Sequence, residues 1–216
     1  IRDLMSLLEF ILPGGWKGIP RDAKGDDRKW HEKRIQEQAT PYILRRSKAH
    51  VVPELPEKLE HVVYVEMTPD QRKLYDQTKN QAESELTELE KSGASEGSIR
   101  MKTLTQLLRL RQVCCDPRLL ESETEPNASA KRSNFFELLE ESIDGGHRVL
   151  VFSQFVSILT LLRNELEDQE IDYCYLDGST RNRMDVVDRF QNNETIPVFL
   201  ISLKAGGLGL NLTGAD

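Results

Sequence analysis

Apolar residues in the first part of the chain recur at the spacing of helices. The pattern predicts one helix at residues 3–12, ended by a Pro-Gly-Gly sequence, and a second at 28–39, ended before Pro41. Residues 45–60 have mixed charge and two prolines, a composition typical of a linker. The first 44 residues are therefore predicted to form a helical segment that precedes a linker.

The middle of the chain combines one short apolar run with two long helical patterns. The run at 61–67 is rich in β-branched and aromatic residues, which predicts a strand. Thr68 is the predicted N-cap of a helix at 70–91, because a proline and a glutamine follow at the positions of a capping box. Glycines 93 and 97 are predicted to separate that helix from another at 99–113. A surface loop is predicted at 121–130.

From Ser133 onward, predicted helices and strands alternate. Helices are predicted at 133–144, 155–169 and 182–192, and strands at 149–152, 173–176 and 198–201. Alternation at this spacing indicates right-handed crossovers and a parallel sheet. Strands as continuously apolar as VLVF and VFLI indicate a sheet covered on both faces. The predicted fold class is therefore α/β, with a parallel sheet flanked by helices and the residues at 62–66 as a fourth strand.

Composition narrows the class of protein without naming a function. The chain has 216 residues, 38% hydrophobic and 30% charged, which suits a globular protein of one large or two small domains. Its three cysteines, two of them adjacent, suit neither a disulfide framework nor a zinc site. The net charge of −7 argues against a general nucleic-acid coat protein, yet it leaves room for a local basic groove.

Three polar loops are predicted at one rim of the sheet, since ligands of parallel sheets bind beyond the carboxyl ends of the strands. Glycines in the last loop let a backbone approach a ligand closely and turn N–H groups toward phosphate oxygens. Lys204 adds a cation, and the hydroxyls of Ser202 and Thr180 add donors. We therefore predict phosphate contact, although a tight structural turn and a solvated lysine explain the same residues. The loops are Ser153-Gln154, Asp177–Thr180 and residues 202–211.

The sequence contains no GxxxxGK[ST] loop, so it cannot hold a nucleoside triphosphate in the manner of that motif. No catalytic triad, acid/base carboxylate pair or metal-ligand cluster is apparent, and we predict no catalytic or metal-binding residue. Two alternatives remain. Gly207 and Gly209 fit the start of a dinucleotide-binding GxGxxG, although Leu212 stands where its third glycine belongs. A non-catalytic interaction module would instead dock partners on the helices at 70–113.

Several blocks of the sequence resemble Swi/Snf-type DNA-dependent ATPases, which are helicase-like proteins of superfamily two. VLVFSQF, YLDGST and FLISLKAGGLGLNLTGAD resemble three successive motifs of their second RecA-like lobe. LRRSKAHVVPELPEKLE is similar to their inter-lobe linker, and LMSLLEFILPGGWKG resembles the helical protrusion that leaves the first lobe. LTQLLRLRQVCCDPRLL is similar to the LRQxCxHP block, with Asp116 in place of the usual histidine. The variants SLKAGG and RQVCCDPRLL look more bacterial than eukaryotic.

The resemblance implies a domain organisation and a function. Residues 1–44 would be the first-lobe protrusion, 45–60 the linker, and 61–216 an incomplete second RecA-like lobe with its own helical protrusion at about 68–120. The implied function is that of a motor lobe in an ATP-dependent translocase on double-stranded DNA, serving remodelling, repair or transcription recycling. ATP and Mg²⁺ would be bound mainly by the first lobe, the partner of this one. The expected location is the bacterial cytoplasm with the nucleoid, or the nucleus of a eukaryote.

The resemblance also implies residue roles and two departures. The first lobe's phosphate loop and acidic motif are absent, and we expect the chain to be a piece that stops before the arginine motif. By itself it is thus expected to hydrolyse no ATP and to be marginally stable. DNA-backbone contacts are implied for Ser153, Gln154, Thr180, Arg181, Ser202, Lys204 and Ala205, the ATP-facing side of the cleft for Gly207, Gly209, Leu210, Asn211 and Asp216, and the linker for Arg45, Arg46 and Lys48.

Overall fold

The computed structural model describes residues 2–16, 18–20, 22–44, 46, 59–121, 129–207, 209–210 and 212–215. These fall into two compact units that divide between Val62 and Val63. The first unit contains helix α1 (Arg2–Ile11) and helix α2 (Gly25–Ala39), followed by a 3₁₀ turn at Thr40–Tyr42. Both predicted helices are confirmed, although α2 begins three residues earlier than expected.

Most of the predicted linker at 45–60 lies outside the described residues, including Arg45 and Lys48. Arg46, Leu59 and Glu60 are described; they are exposed and have no regular secondary structure. The bracing role implied for Arg46 therefore stays a prediction.

The second unit begins with two helices joined by a short turn, α3 (Pro69–Lys91) and α4 (Glu96–Cys115), which we call the hairpin. The predicted cap of α3 is confirmed, because the Thr68 side chain accepts a hydrogen bond of 3.2 Å from the Gln71 N–H. The helices are tied by a 2.7 Å ion pair between Lys102 Nζ and Glu85 Oε2. The prediction that glycine 97 breaks the helical pattern is wrong, because this glycine lies inside α4. Ser95 caps the helix about one turn before the predicted start at residue 99, and its hydroxyl accepts from the Ser98 N–H.

The remainder of the second unit alternates helices and strands as predicted, and the strands form one parallel sheet in the order β1-β3-β2. Helix α5 begins earlier than predicted because Ser129 caps it, its hydroxyl accepting from Arg132 N–H. The predicted loop at 121–130 therefore ends sooner, with residues 122–128 outside the described part. The elements are α5 (Ala130–Asp144), β1 (Val149–Ser153), α6 (Val156–Asp168), β2 (Tyr173–Leu176), α7 (Arg183–Asn192), β3 (Val198–Ser202) and α8 (Leu203–Gly206).

Both faces of the sheet are covered, as the continuously apolar strands predicted. All five residues of β3 are buried, and successive side chains enter opposite cores because strand side chains alternate between faces. Phe199 and Ile201 pack with Phe190 of α7, whereas Val198 and Leu200 pack with residues of α5 and α6. The central strand is therefore the structural centre of this α/β unit.

The predicted strand at 61–67 is wrong. These residues have no regular secondary structure, and the apolar side chains at 62–65 are exposed, with Val62 at 74% and Tyr64 at 92%. β-branched and aromatic residues favour strands because they pack well on a half-buried sheet surface, so their presence alone does not form a strand. A strand also needs a neighbour for its N–H and C=O groups, and within the described residues the sheet pairs only β1, β3 and β2. The described sheet therefore has three strands rather than four.

Candidate nucleic-acid interface

The three loops predicted to share one rim do lie beyond the same edge of the sheet. Ser153 at the end of β1 is paired in register with Ser202 at the end of β3. Leu176 at the end of β2 is paired with Ile201, so the Asp177 segment leaves the sheet at the same level. Neighbouring strands are about 4.8 Å apart, which makes these segments one continuous surface. We call it the rim: residues 153–154, 177–181 and 202–207.

The β1 segment of the rim is ordered by its serine and joined to the hairpin by its glutamine. Ser153 Oγ accepts from the Phe155 N–H at 3.1 Å and lies 3.2 Å from the Phe155 carbonyl oxygen, to which it donates. Gln154 is exposed, and its Oε1 accepts from Arg111 Nη2 at 2.5 Å. The sequence motifs do not identify Arg111 as part of this surface, because Arg111 and Gln154 are 43 positions apart and only the tertiary structure brings them together.

Asp177 organises the β2 segment of the rim. Its Oδ1 accepts from the N–H of Ser179 at 2.8 Å and from the Ser179 hydroxyl at 2.6 Å, and its Oδ2 accepts from the Tyr175 hydroxyl at 3.1 Å. Thr180 Oγ1 accepts from the Asp177 N–H at 3.1 Å. These donors, the Ser179 hydroxyl most of all, hold the pKa of the Asp177 carboxyl below its ordinary value. The Thr180 hydroxyl is therefore already engaged within the loop, while Arg181 beside it is exposed.

Replacing Asp177 by asparagine is expected to remove part of the acid sensitivity of folding. The pKa of Asp177 is lower in the folded chain than the ordinary value of about 3.9. Its stabilisation is therefore present above that value and is lost as the pH falls through the folded pKa. Denaturant unfolding from pH 7 to pH 2 should show Asp177→Asn less stable by about 1–2 kcal/mol at neutral pH, with the difference shrinking in acid. The exposed Asp172→Asn is the control; a pH-independent difference for Asp177→Asn would contradict the prediction.

The glycine-rich segment after β3 is not an open loop at its start. Residues 203–206 form the short helix α8, whose N-cap Ser202 accepts from the Ala205 N–H at 3.3 Å. The Gly207 N–H donates to the Leu203 carbonyl at 3.2 Å. The expectation that these N–H groups turn outward is therefore wrong for Ala205 and Gly207. Ser202 and Ala205 are also buried, at 3% and 1% exposure, beneath the surface that they were expected to present.

Two of the glycines have structural reasons of their own. A Cβ on Gly206 would lie 2.9 Å from Phe152 Cε1 and 3.0 Å from Ile201 Cγ2, so only glycine lets α8 pack this closely on the sheet. Gly209 has a φ of +71°, in the region that favours glycine. Close packing and a turn thus account for these two positions without a ligand.

The exposed charged side chains at the rim are cationic. Lys204 and Arg181 are exposed, and within the described part of the chain neither forms an ion pair. Together with the Gln154 carboxamide they offer N–H donors and positive charge at an edge of a chain whose net charge is −7. Such a set of donors suits an anionic ligand.

Of the residues expected to face ATP, Gly207, Gly209 and Leu210 are described. The two glycines are exposed, and Leu210 is partly buried against the core that contains Phe199. Asn211 and Asp216 lie outside the described residues. Across the described ranges, no group of three or more His, Cys, Asp or Glu side chains is arranged to hold a metal ion. In those same ranges no helix is long and apolar enough to cross a membrane.

Arg148, just before β1, is a second arginine that the sequence patterns did not reveal. Its guanidinium donates to the carbonyl oxygens of Ile196 at 3.0 Å, Asn193 at 3.0 Å and Gly214 at 2.7 Å, and also to that of Phe190. It lies 4.0 Å from the centre of the Phe190 ring. Because its partners are backbone carbonyls, no residue pattern signals them. Arg148 fixes the segment that contains Gly214 to the body of the α/β unit.

A buried ionic chain joins the base of the hairpin to the sheet's helices. Asp116, 1% exposed, accepts from Arg118 Nε at 2.9 Å and Nη2 at 2.8 Å and lies 3.7 Å from Arg132 Nε. Arg132, 7% exposed, also pairs with Glu165 of α6. Gln71 adds a buried 2.7 Å hydrogen bond from its Nε2 to the Val113 carbonyl. Asp116, the residue that departs from the histidine of the resembled motif, is thus the centre of an ion network.

Two known protein families match the chain, one on each side of residues 120–129. The model described as SNF2-related domain matches residues 1–119, and that described as helicase conserved C-terminal domain matches residues 130–216. The chain is 31% identical over 221 residues to an uncharacterized ATP-dependent helicase of Mycoplasma pneumoniae, covering 99% of the chain and 20% of that protein. It is 34% identical over 192 residues to the DNA excision repair protein CSB of Oryza sativa subsp. japonica, covering 84% and 15%.

Solved structures of the same class share the fold. The Sulfolobus solfataricus SWI2/SNF2 ATPase C-terminal domain superposes with a TM-score of 0.61 at 30% identity, covering 71% of this chain and 67% of that one. The SWI2/SNF2 ATPase core from the same organism in complex with dsDNA gives a TM-score of 0.66 at 27% identity, covering 87% and 40%. The sheet described above is thus of the RecA-like kind found in these C-terminal domains. The chain spans 20% of the length of the first of these curated relatives and 15% of the second.

Proposed function

The chain belongs to the SNF2-related family of helicase-like proteins, and we propose that it forms the second motor lobe of an ATP-driven translocase on double-stranded DNA. The observation that carries the proposal is the rim, where exposed Lys204 and Arg181 lie at the sheet edge that also bears Gln154. Duplex DNA is proposed as the ligand because a structural neighbour at 27% identity was solved with dsDNA. This function would place the protein with the chromosome, in the bacterial cytoplasm or in a eukaryotic nucleus.

The chemistry of the rim suits the DNA backbone rather than the bases. A translocase must hold a surface that is the same at every step, and phosphate contacts carry no sequence information. Lysine, arginine and an amide N–H are the donors that phosphates accept most readily. Since Ser202, Ala205 and Thr180 are buried or internally bonded, we assign direct contact to Lys204, Arg181 and Gln154 and a supporting role to the others.

ATP and Mg²⁺ fit this chain only in part. The exposed backbone at Gly207 and Gly209 offers a surface against which a nucleotide could rest, but the sequence has no phosphate loop and the described residues include no cluster that could hold a metal. We therefore propose that a first RecA-like lobe holds the triphosphate and the ion. In this arrangement the present lobe would supply the DNA contacts and close over the nucleotide.

Replacing Lys204 by alanine in the full-length gene product is expected to weaken DNA binding equally for unrelated sequences. Losing one phosphate contact should reduce the slope of log K against log salt by roughly 1, because each neutralised phosphate contributes about −0.9. Fluorescence titration of two unrelated duplexes at several salt concentrations measures both quantities. The matched control is Lys91→Ala, which removes an exposed lysine at the end of α3.

Three outcomes would contradict the proposed rim. The first is an unchanged slope for Lys204→Ala, and the second is a loss confined to one of the two sequences. The third is an equal loss for Lys91→Ala, which would assign the effect to net charge rather than to the rim. Stabilisation by a dinucleotide but not by duplex DNA would favour the alternative of a dinucleotide-binding domain.

A further inference from the structure

The contact between Arg111 and Gln154 joins the hairpin to the rim. Arg111 projects from the last turns of α4, and its Nη2 donates to Gln154 Oε1 over 2.5 Å. The guanidinium carbon lies 5.9 Å from the centre of the Phe155 ring, the residue next to Gln154. Arg111 thus contacts two consecutive residues of the segment that follows β1.

The chemistry of the two side chains fixes which end of the carboxamide faces Arg111. A guanidinium has five N–H donors and no acceptor, whereas a glutamine side chain has one oxygen acceptor and one NH₂ donor group. Only the oxygen can therefore face Arg111, and the NH₂ group is held on the other side. A phosphate accepts hydrogen bonds and repels a carbonyl oxygen, so this is the orientation in which Gln154 can bind one.

The end of α4 that carries Arg111 is firmly held. The carbonyl of Val113, two residues on, accepts from the Gln71 side chain at 2.7 Å. The carbonyl of Cys115 accepts from Ser129 Oγ at 2.9 Å. A side chain that leaves a fixed helix end and lies over an aromatic ring loses little further conformational freedom when it binds its partner. Arg111 is therefore well suited to orient the Gln154 amide.

We propose that Arg111 is a positioning residue for DNA binding: it holds the Gln154 carboxamide so that its N–H groups face the phosphate backbone. The inference rests on the proposed function and assigns to the hairpin a part in gripping DNA. Arg111 acts through Gln154 in this proposal and neutralises no phosphate itself. That distinction makes the proposal testable by the salt dependence of binding and by a double-mutant cycle.

The experiment measures duplex affinity of the full-length gene product for Arg111→Met, Gln154→Ala and the double variant, each across a range of salt concentrations. Arg111→Met is expected to weaken binding about five-fold, the worth of roughly one hydrogen bond, with an unchanged salt slope. In the Gln154→Ala background the same substitution should have no further effect, because its target is gone. Arg111→Lys, which keeps a cationic donor, should restore part of the affinity.

Arg109→Met, which removes an exposed arginine two residues away on α4, is the matched control and should bind as the wild type does. Additive losses with a slope reduced by about 0.9 would overturn the proposal, since Arg111 would then contact a phosphate directly. Unchanged affinity in Arg111→Met would also overturn it. Lys204→Ala, titrated alongside, separates the proposed DNA binding by the rim from the proposed role of Arg111. If Lys204→Ala weakens binding and Arg111→Met does not, only the positioning role fails. If the wild type binds no duplex, the proposed function fails.

Discussion

Replacing Arg132 by methionine is expected to lower the free energy of unfolding by about 3–5 kcal/mol, the range found when one partner of a buried ion pair is removed. Arg132 is 7% exposed and stands between Asp116, which is 1% exposed, and Glu165. Methionine keeps much of the apolar volume, so the loss reports on the charges. Among the described residues, Asp116 would keep its pair with Arg118, and Glu165 would lose its pair with Arg132. Urea unfolding followed by circular dichroism measures the difference.

The matched control for Arg132→Met is Lys79→Met on α3, which breaks an exposed pair with Glu83 at 3.8 Å. Exposed pairs contribute little, so its effect should stay within about 1 kcal/mol. Adding Glu165→Gln to Arg132→Met should cost less than the two single changes together, because the carboxylate has already lost its partner. Equal effects of Arg132→Met and Lys79→Met would show that the buried network does not hold the hairpin in place.

Replacing Arg148 by methionine is expected to lower the free energy of unfolding by about 2–4 kcal/mol. Four carbonyl oxygens would lose a charged donor, and each unsatisfied buried acceptor costs about 1–3 kcal/mol. Carbonyl oxygens near solvent can bind water instead, so the total loss of stability should be smaller than the sum of four such costs. The segment around Gly214 should also become less stable locally, because Arg148 Nη1 donates to the Gly214 carbonyl oxygen at 2.7 Å. Hydrogen exchange should therefore speed up at residues 212–215 beyond the change at β3.

Arg189→Met is the matched control for Arg148→Met, because it removes an exposed arginine of α7. It should leave both stability and exchange near those of the wild type. If Arg148→Met lowers stability but exchange at 212–215 rises no more than elsewhere, the arginine stabilises the core without fixing that segment.

The elements that could be predicted from sequence are those whose stability is local or set by a single pattern. β3 is apolar at almost every position because both its faces are buried, so its burial was readable from VFLI alone. The start of α3 was readable because Thr68, Pro69 and Gln71 act within one turn. The order of strands and helices followed from the same patterns, together with the handedness of crossovers.

The failures have a different physical origin. Residues 61–67 have the composition of a strand, but strand formation depends on a neighbour that composition does not describe. The glycine-rich segment suggested exposed N–H groups, whereas Ser202 caps a helical turn that consumes them. Arg111 contacts a residue 43 positions away along the chain, and Arg148 contacts residues 42 to 66 positions away. Long-range contacts of this kind produce no periodic pattern in the sequence.

The close approach at Gly206 brings two segments of the rim into contact. With no side chain on Gly206, α8 packs directly on the ring of Phe152, the residue of β1 that lies one position before Ser153. An inward displacement of α8 would press on that ring, which belongs to the strand that ends at Ser153. Lys204 and Gln154 are thus carried by neighbouring segments that are in direct contact. In the proposed translocase, a force on the Lys204 segment would therefore also reach the segment that carries Gln154 through this contact.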